Sequence, residues 1–358
     1  MIYYLGQYLQ QFWGPARLLT SYAVLIAVAL YTGFFAAYKL IPKFYDKLPH
    51  DRGREFTLKD NAEAAKGKPT GAGVVFITIF VIICFLLVPM NWVRASIIVI
   101  TWLTMLTGFL DDRSTTSWGE YLKGALDLII SLATAFVLYF GLKNVSPDGI
   151  VRFWLPFTSS EIAVAPAVYI ILCTIMLWAS INTTNCTDGV DGLSATLVLI
   201  ALLTLGVLFY VVLGHKDISA YLLLPHLPMG ANWAIMVFAM AGVIMGYLWL
   251  NAFPSKCLMG DAGSRAIGYF IGVGVMISGN PFIILATSSI IFINGGMGLL
   301  KVFLLRFFKI KIFENIRFPL HDHMRKNRGW SPTQVVIKFM IMQILITCAI
   351  LGIFLKIR

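Results

Sequence analysis

Long apolar runs separated by short polar stretches dominate the chain. Runs of about 18 or more apolar residues are long enough to cross the hydrocarbon core of a bilayer as helices. The pattern predicts ten such spans, at residues 18–40, 72–89, 93–110, 121–141, 163–181, 192–213, 232–250, 264–279, 281–305 and 334–355. The sequence therefore predicts an all-α, polytopic membrane protein that forms one integral membrane domain over residues 1–358.

Composition supports this class. Hydrophobic residues make up 59% of the 358 residues and charged residues 13%, whereas soluble domains average about half apolar and about a quarter charged. An ordinary soluble protein is thereby excluded. The second and third spans share a very short connection and are expected to form a tight hairpin. Residues 142–162 are expected to form a small hairpin, and the long loops 41–71 and 307–332 are the remaining places for structure outside the membrane.

The distribution of positive charge predicts an orientation. Most of the 28 Lys and Arg residues lie in loops that follow odd-numbered predicted spans, and an excess of Lys and Arg marks cytoplasmic loops. Both termini are then expected outside. The net charge of +11 follows from this topology rather than from nucleic-acid binding, and it attracts anionic substrates and lipid head groups. The five cysteines show neither zinc-site spacing nor a disulfide framework.

Acidic side chains recur where predicted spans end on the cytoplasmic side. Asp111 and Asp112 follow the third span, and adjacent carboxylates repel each other unless a cation neutralises them. Asp188 and Asp191 follow the fifth span and share a face if the segment is helical. The same stretch supplies further oxygen and amide groups from Asn182, Thr184, Asn185 and Thr187. A solvated helix end or a capped turn would explain each stretch taken alone.

Asp261 lies between two glycines ahead of the eighth predicted span. The position suits phosphate binding at a helix N-terminus, or a plain N-cap formed by Asp261 or Ser264. Oxygen ligands with few thiols favour Mg²⁺ or Mn²⁺. These ions bridge phosphate oxygens and offset their charge in phosphoryl transfer. Together, the acidic stretches predict one metal-dependent site assembled from distant loops on the cytoplasmic face.

Two basic segments flank these stretches. His321 and His323 lie in a basic loop and suit diphosphate binding, proton transfer, metal ligation or plain solvation. Lys66 and Thr70 belong to segment 66–73, which suits an anion or a positively charged helix entry. Its spacing of Gly and Lys is not that of a P-loop.

In combination and order, these stretches resemble the signatures of the polyprenyl-phosphate N-acetylhexosamine-1-phosphate transferases, and the likeness covers nearly the whole chain. The motifs that carry it are Gly108–Asp112, Asn182–Leu193 and Met259–Ser264. The resemblance is strongest to the branch that serves peptidoglycan synthesis in the bacterial inner membrane. It implies a Mg²⁺-dependent transfer of phospho-N-acetylmuramoyl-pentapeptide from its UDP-linked form to undecaprenyl phosphate, with release of UMP and formation of lipid I. It also implies a homodimer surrounded by membrane lipids.

The resemblance implies roles for individual residues. Asp261 is the preferred Mg²⁺ ligand. Asp111, with Asp112 beside it, is the candidate base or orients the lipid phosphate, and His321 belongs to the catalytic set. The residues expected to hold substrate or support the metal are Lys66, Thr70, Lys123, Asn182, Asn185, Asp188, Asp191, Asn251, Leu258 and His323.

The chain departs from the family pattern at several positions. Asp322 interrupts what is a run of three histidines in the family, Leu258 replaces a frequent aromatic residue near uracil, and the leading lysine of segment 66–73 is displaced. These departures keep a UDP-N-acetylglucosamine or related transferase open. Two further alternatives are a transporter or channel, with Asp127 as the main carboxylate well inside a span, and a non-catalytic scaffold.

Overall fold

The computed structural model describes residues 1–51, 66–116, 118–158 and 160–356, which are mostly helical. The predicted loop 41–71 lies partly outside the described residues. The α-helices are α1 (Ile2–Leu9), α2 (Tyr22–Leu40), α3 (Gly73–Leu87), α4 (Trp92–Arg113), α5 (Glu120–Val145), α6 (Pro166–Thr187), α7 (Leu193–Val207), α8 (Lys216–Tyr221), α9 (Gly230–Asn251), α10 (Gly260–Ile277), α11 (Ile283–Ile291), α12 (Met297–Phe303), α13 (Leu320–Arg328) and α14 (Pro332–Lys356). Short 3₁₀ helices cover Gly14–Thr20 and Ile41–Lys47, and π-helical turns cover Leu208–Val212, Phe292–Gly296 and Leu304–Phe308.

Within the described residues, 8 helical segments are long and apolar enough to cross a membrane. They are Tyr22–Lys47, Trp92–Arg113, Glu120–Val145, Pro166–Thr187, Leu193–Val212, Gly230–Asn251, Ile283–Phe308 and Pro332–Leu355. The two other predicted spans are also helices: α3 is apolar but has 15 residues, and α10 carries Asp261 and Arg265 in its 18 residues. The prediction of an all-α, polytopic membrane protein is confirmed at the level of fold class.

Both predicted hairpins are present. Helix α3 ends at Leu87 and α4 begins at Trp92, where the Asn91 side chain caps α4 by accepting the backbone N–H of Arg94 at 2.9 Å. Strand β1 (Arg152–Phe153) pairs antiparallel with β2 (Ile162–Ala163). The connection between α3 and α4 is therefore short, whereas the longer connection between α5 and α6 contains the β-hairpin.

Helix α10 forms the centre of the bundle. Every residue from Asp261 to Ile277 is buried, and the helix packs against α3, α4, α6 and α7. Glycines permit this close packing: a Cβ added at Gly73 would lie 2.1 Å from the backbone nitrogen of Gly263, and one at Gly108 would lie 2.4 Å from the carbonyl oxygen of Asp261. Because protein rather than lipid surrounds α10, this helix tolerates charged side chains.

Candidate active site

A lysine joins two of the predicted acidic residues at one end of the bundle. Asp111 lies in the last turn of α4, Asp261 in the first turn of α10, and Lys123 in the first turn of α5. The Lys123 ammonium forms ion pairs with both carboxylates, at 2.8 Å from Asp261 Oδ2. Asp111 and Asp261 are 5% and 6% exposed, so the shared ammonium offsets two nearly buried negative charges.

Asp112 holds the start of α10. Its Oδ1 and Oδ2 accept the backbone N–H groups of Asp261 and Ala262, each at 3.0 Å. A carboxylate here satisfies donors that have no partner inside the helix and interacts favourably with the helix dipole. The sequence-based alternative that Asp261 or Ser264 is the N-cap is wrong, because α10 begins at Gly260. The apolar run predicted a start at residue 264. The helix begins earlier because its polar first turn is buried against protein, where polar residues do not mark a helix end.

Two asparagines of α6 reach towards these charges. Asn185 Nδ2 donates to Asp261 Oδ1 at 3.1 Å and to Ser264 Oγ at 3.0 Å. Asn182 Nδ2 donates to Asp127 Oδ2 at 3.3 Å. Asn185 therefore belongs to the carboxylate cluster, whereas Asn182 contacts a second group of charges farther along α5.

That second group is a buried ion pair that the sequence analysis did not identify. Asp127 and Arg265 are 1% and 2% exposed. Arg265 Nε donates to Asp127 Oδ1 at 3.2 Å, and Nη2 contacts the same oxygen. The carboxylate that favoured a transporter thus has an arginine partner. The signal in the sequence was an arginine inside a predicted span, since buried charges in membrane segments are usually paired.

The condition under which Asp188 and Asp191 would share a helical face is not met, because the segment that holds them is not helical. Helix α6 ends at Thr187, and Gly192 adopts a left-handed conformation with φ of 77°. The intervening residues form a turn. The helix stops at Asp188, whose ψ of 61° departs from the helical value, so the two carboxylates do not lie on one helix.

Asp191 and Asn251 connect the turn before α7 with the segment between α9 and α10. Asp191 Oδ2 accepts the backbone N–H of Ser255 at 3.0 Å and lies 3.5 Å from Lys68 Nζ. Asn251 Oδ1 accepts the backbone N–H of Gly192 at 2.9 Å, and its Nδ2 donates to the Cys257 carbonyl at 2.8 Å. Asn251, 3% exposed, thus braces two loops rather than pointing to solvent.

The remaining predicted substrate-binding residues line the adjoining loop. The backbone N–H of Leu258 donates to the Pro69 carbonyl at 2.8 Å, and that of Thr70 donates to Pro49 at 2.8 Å. Segment 66–73 is therefore fixed beside the start of α10, while Lys66 is exposed.

His321 lies in the first turn of helix α13 rather than in the predicted loop, and Asn294 contacts it there. Its Oδ1 accepts the backbone N–H of His321 at 2.8 Å and lies 3.1 Å from His321 Nδ1. Burial lowers the pKa of His321 to about 4, so the ring is neutral near pH 7. With Nδ1 as the donor to Asn294, Nε2 is left as an acceptor. A Cβ at Gly189 would lie 2.4 Å from Nε2, which places the ring against the turn that separates Asp188 from Asp191.

His323 occupies a different position on α13. Its Nδ1 accepts the backbone N–H of Arg317 at 3.4 Å, and Arg317 Nε lies 3.9 Å from Asp322 Oδ2. The two histidines therefore have separate environments. Asn294 was missed by the sequence analysis, although an asparagine inside an apolar span is a signal of buried polar contacts.

The donor groups fit a magnesium ion that also binds substrate. Among the described residues, no group of three or more His, Cys, Asp and Glu side chains forms a metal cage. Mg²⁺ commonly uses one or two carboxylates and completes its shell with water and substrate phosphates. Asp111 and Asp261 offer two such carboxylates, and they already share the Lys123 ammonium.

Comparison with known proteins identifies the family. Residues 94–279 match the model of glycosyl transferase family 4. A phospho-N-acetylmuramoyl-pentapeptide-transferase of Treponema pallidum is 53% identical over 352 residues, covering 98% of this chain and 95% of the relative. Proteins of the same name from Campylobacter curvus and Aquifex aeolicus are 30% and 28% identical, covering 88% and 97% of this chain and 90% and 97% of the relatives. The chain therefore belongs to glycosyl transferase family 4, among relatives named phospho-N-acetylmuramoyl-pentapeptide-transferase.

Proposed function

We propose that the chain transfers phospho-N-acetylmuramoyl-pentapeptide from its UDP-linked form to undecaprenyl phosphate, which releases UMP and forms lipid I. The relatives' shared name over nearly the full length supports this reaction. The contact of Lys123 with Asp111 and Asp261 carries the assignment of the site. In this proposal ten helices span the bacterial inner membrane, both termini lie outside, and the site faces the cytoplasm of a homodimer formed by the single-domain chain.

The reaction requires an anion to attack another anion. An oxygen of the lipid phosphate forms a bond to the sugar-linked phosphorus, and the bond from that phosphorus to the oxygen of the departing UMP breaks. A phosphate monoester has a second pKa near 6 and is largely a dianion at pH 7, so its oxygen needs little deprotonation. The main demand on the protein is to position the two phosphates and offset their charge. This favours a positioning role for Asp111 over that of a base.

The cluster meets this demand with groups from three helices. Lys123 leaves the carboxylates to contact substrate phosphate, since its ammonium is the flexible cation of the cluster. Asp261 and Asp111 would hold Mg²⁺, which offsets phosphate charge when bound. Asp112 fixes Asp261 through the first turn of α10. Neutral His321 presents Nε2 as an acceptor towards the turn at Gly189.

The test is UMP release by the detergent-purified protein with undecaprenyl phosphate, UDP-N-acetylmuramoyl-pentapeptide and Mg²⁺. We expect release that depends on the lipid and stops with EDTA. Activity with UDP-N-acetylglucosamine instead would move the chain to the sister transferases. Absence of release with both donors would refute the proposal and favour a scaffold or a transporter.

A further inference from the structure

Four charged residues form two stacked layers between α5 and α10. Lys123 and Asp127 lie four residues apart on α5, and Asp261 and Arg265 lie four residues apart on α10. Side chains at this spacing are neighbours on one helix face. The observed ion pairs nevertheless cross between the helices, Lys123 with Asp261 and Asp127 with Arg265.

In the deeper layer both carboxylate oxygens of Asp127 have partners, whereas Arg265 Nη1 is buried without a hydrogen-bond partner among the described residues. Arg265 Nε and Nη2 both donate to Asp127 Oδ1, and Asn182 Nδ2 donates to Asp127 Oδ2. The upper layer is open to exchange, because the Lys123 side chain is 22% exposed. Glu120, three residues before Lys123 on α5, is exposed and pairs with Arg306. When Lys123 and Asp261 turn to phosphate and Mg²⁺, each has one buried competing partner of opposite charge on its own helix. For Lys123 it is Asp127, and for Asp261 it is Arg265.

We infer that Asp127 and Arg265 are a positioning pair: each occupies the other and so keeps Lys123 and Asp261 free to act on the phosphates and the metal. This inference rests on the proposed function. Without Arg265, the Asp127 carboxylate is free to bind the Lys123 ammonium. Without Asp127, the Arg265 guanidinium is free to bind Asp261, and an Asp at position i with Arg at i+4 is the favourable orientation within a helix.

The two single substitutions should therefore fail in different ways. Asp127→Asn should raise the Mg²⁺ concentration for half-maximal UMP release by about tenfold or more, a coupling of about 1.4 kcal/mol, because Arg265 competes with the metal for Asp261. Arg265→Gln should raise KM for the UDP-linked donor or lower kcat, because Lys123 is withdrawn from phosphate. The double variant Asp127→Asn/Arg265→Gln removes both competitors and should recover both constants towards those of the wild type.

A second measurement needs no turnover. The midpoint of thermal unfolding in detergent is followed with increasing Mg²⁺ and no substrate. We expect the Mg²⁺-dependent rise to be weakened in Asp127→Asn and restored in the double variant. The thermal midpoint without Mg²⁺ does not distinguish a positioning role from a purely structural one, because an unpaired buried charge destabilises the fold whichever role the pair has.

The outcomes separate the inference from the proposed function. A double variant that combines the losses of both single variants would overturn the inference, as would a Mg²⁺ dependence that is the same in all four proteins. If a single variant does not fold, the double variant, which has no unpaired charge, still decides the matter: it must match the wild type in Mg²⁺ dependence. A wild-type protein that releases no UMP would overturn the proposed function instead.

Discussion

Replacement of Asp112 by asparagine tests whether this residue is the cap of α10. The carboxylate accepts two backbone N–H groups at 3.0 Å, from Asp261 and Ala262. The asparagine amide keeps one acceptor oxygen and turns an NH₂ group towards the other N–H. The substitution therefore loses one hydrogen bond, leaves one buried donor unsatisfied and removes a negative charge from the helix N-terminus.

Opposing effects set the size of the change. A hydrogen bond to a charged group contributes about 1.5–3 kcal/mol, and a charge at a partly buried helix terminus contributes up to about 2 kcal/mol. Against this, the substitution relieves repulsion between Asp112 and Asp261, which for two neighbouring unit charges is on the order of 1–4 kcal/mol. Lys123 already offsets part of that repulsion, so we expect a net destabilisation of about 1–3 kcal/mol.

Thermal unfolding of the detergent-solubilised protein measures the sign. We expect Asp112→Asn to lower the midpoint by about 2–6 °C and to reduce UMP release, because Asp261 loses its fixed position. Asp217→Asn is the matched control, since Asp217 lies in the first turn of α8 but is exposed. A raised midpoint for Asp112→Asn would refute the capping argument, because relief of repulsion would then be the larger effect.

Three other predictions follow from the site. Asp261→Asn should reduce UMP release to background while the thermal midpoint is maintained, and near-normal turnover would contradict its role as metal ligand. The pKa of His321 is lowered to about 4, so its neutral form contributes stability above pH 6.5 that is lost as pH falls towards 4. His321→Asn should flatten this part of the pH–stability curve by up to about 3 kcal/mol, and an unchanged slope would contradict it. Gly108→Ala places a Cβ 2.4 Å from the Asp261 carbonyl and should destabilise by about 1–3 kcal/mol. The control Gly352→Ala, at an exposed position inside α14 with nothing within 4 Å, should neither destabilise the protein nor change turnover, since alanine favours a helix.

Long apolar runs predicted all 8 of the segments that are long and apolar enough to cross a membrane among the described residues, because the physical requirement for a membrane helix is local. The polar stretches around Asp111 and Asp261 were also predicted from local sequence, since charges directly beside long apolar runs are conspicuous. The beginning of α10 was harder to predict. Gly260 adopts a φ of 68° beside Asp112, and the buried turn that follows depends on a carboxylate nearly 150 positions earlier in the chain.

The partners of the site residues depend on tertiary packing. Nothing local indicates that Arg265 contacts Asp127 rather than Asp261, because both are within reach of an arginine on that helix face. The orientation of His321 depends on Asn294, which lies in a π-helical turn of the span Ile283–Phe308. Such pairings follow from how the helices cross, which periodicity does not specify.

The burial of α10 also has a consequence for the order in which the protein is made. A helix that carries Asp261 and Arg265 is poorly suited to enter lipid alone, since a charge costs up to about 2.5–3.5 kcal/mol during insertion, the value at a helix centre. The charged partners of these residues, Lys123 and Asp127, precede α10 in the chain. So do Asp112, which accepts the first N–H groups of α10, and α4 and α6, against which α10 packs. During synthesis, the earlier helices therefore leave the ribosome before α10 does. The side chains of Lys123, Asp127 and Asp112 are then present before the helix that they contact. The cluster of Asp111, Lys123 and Asp261 is thus complete once α10 has been made, whereas Asn294 and His321 come later in the chain.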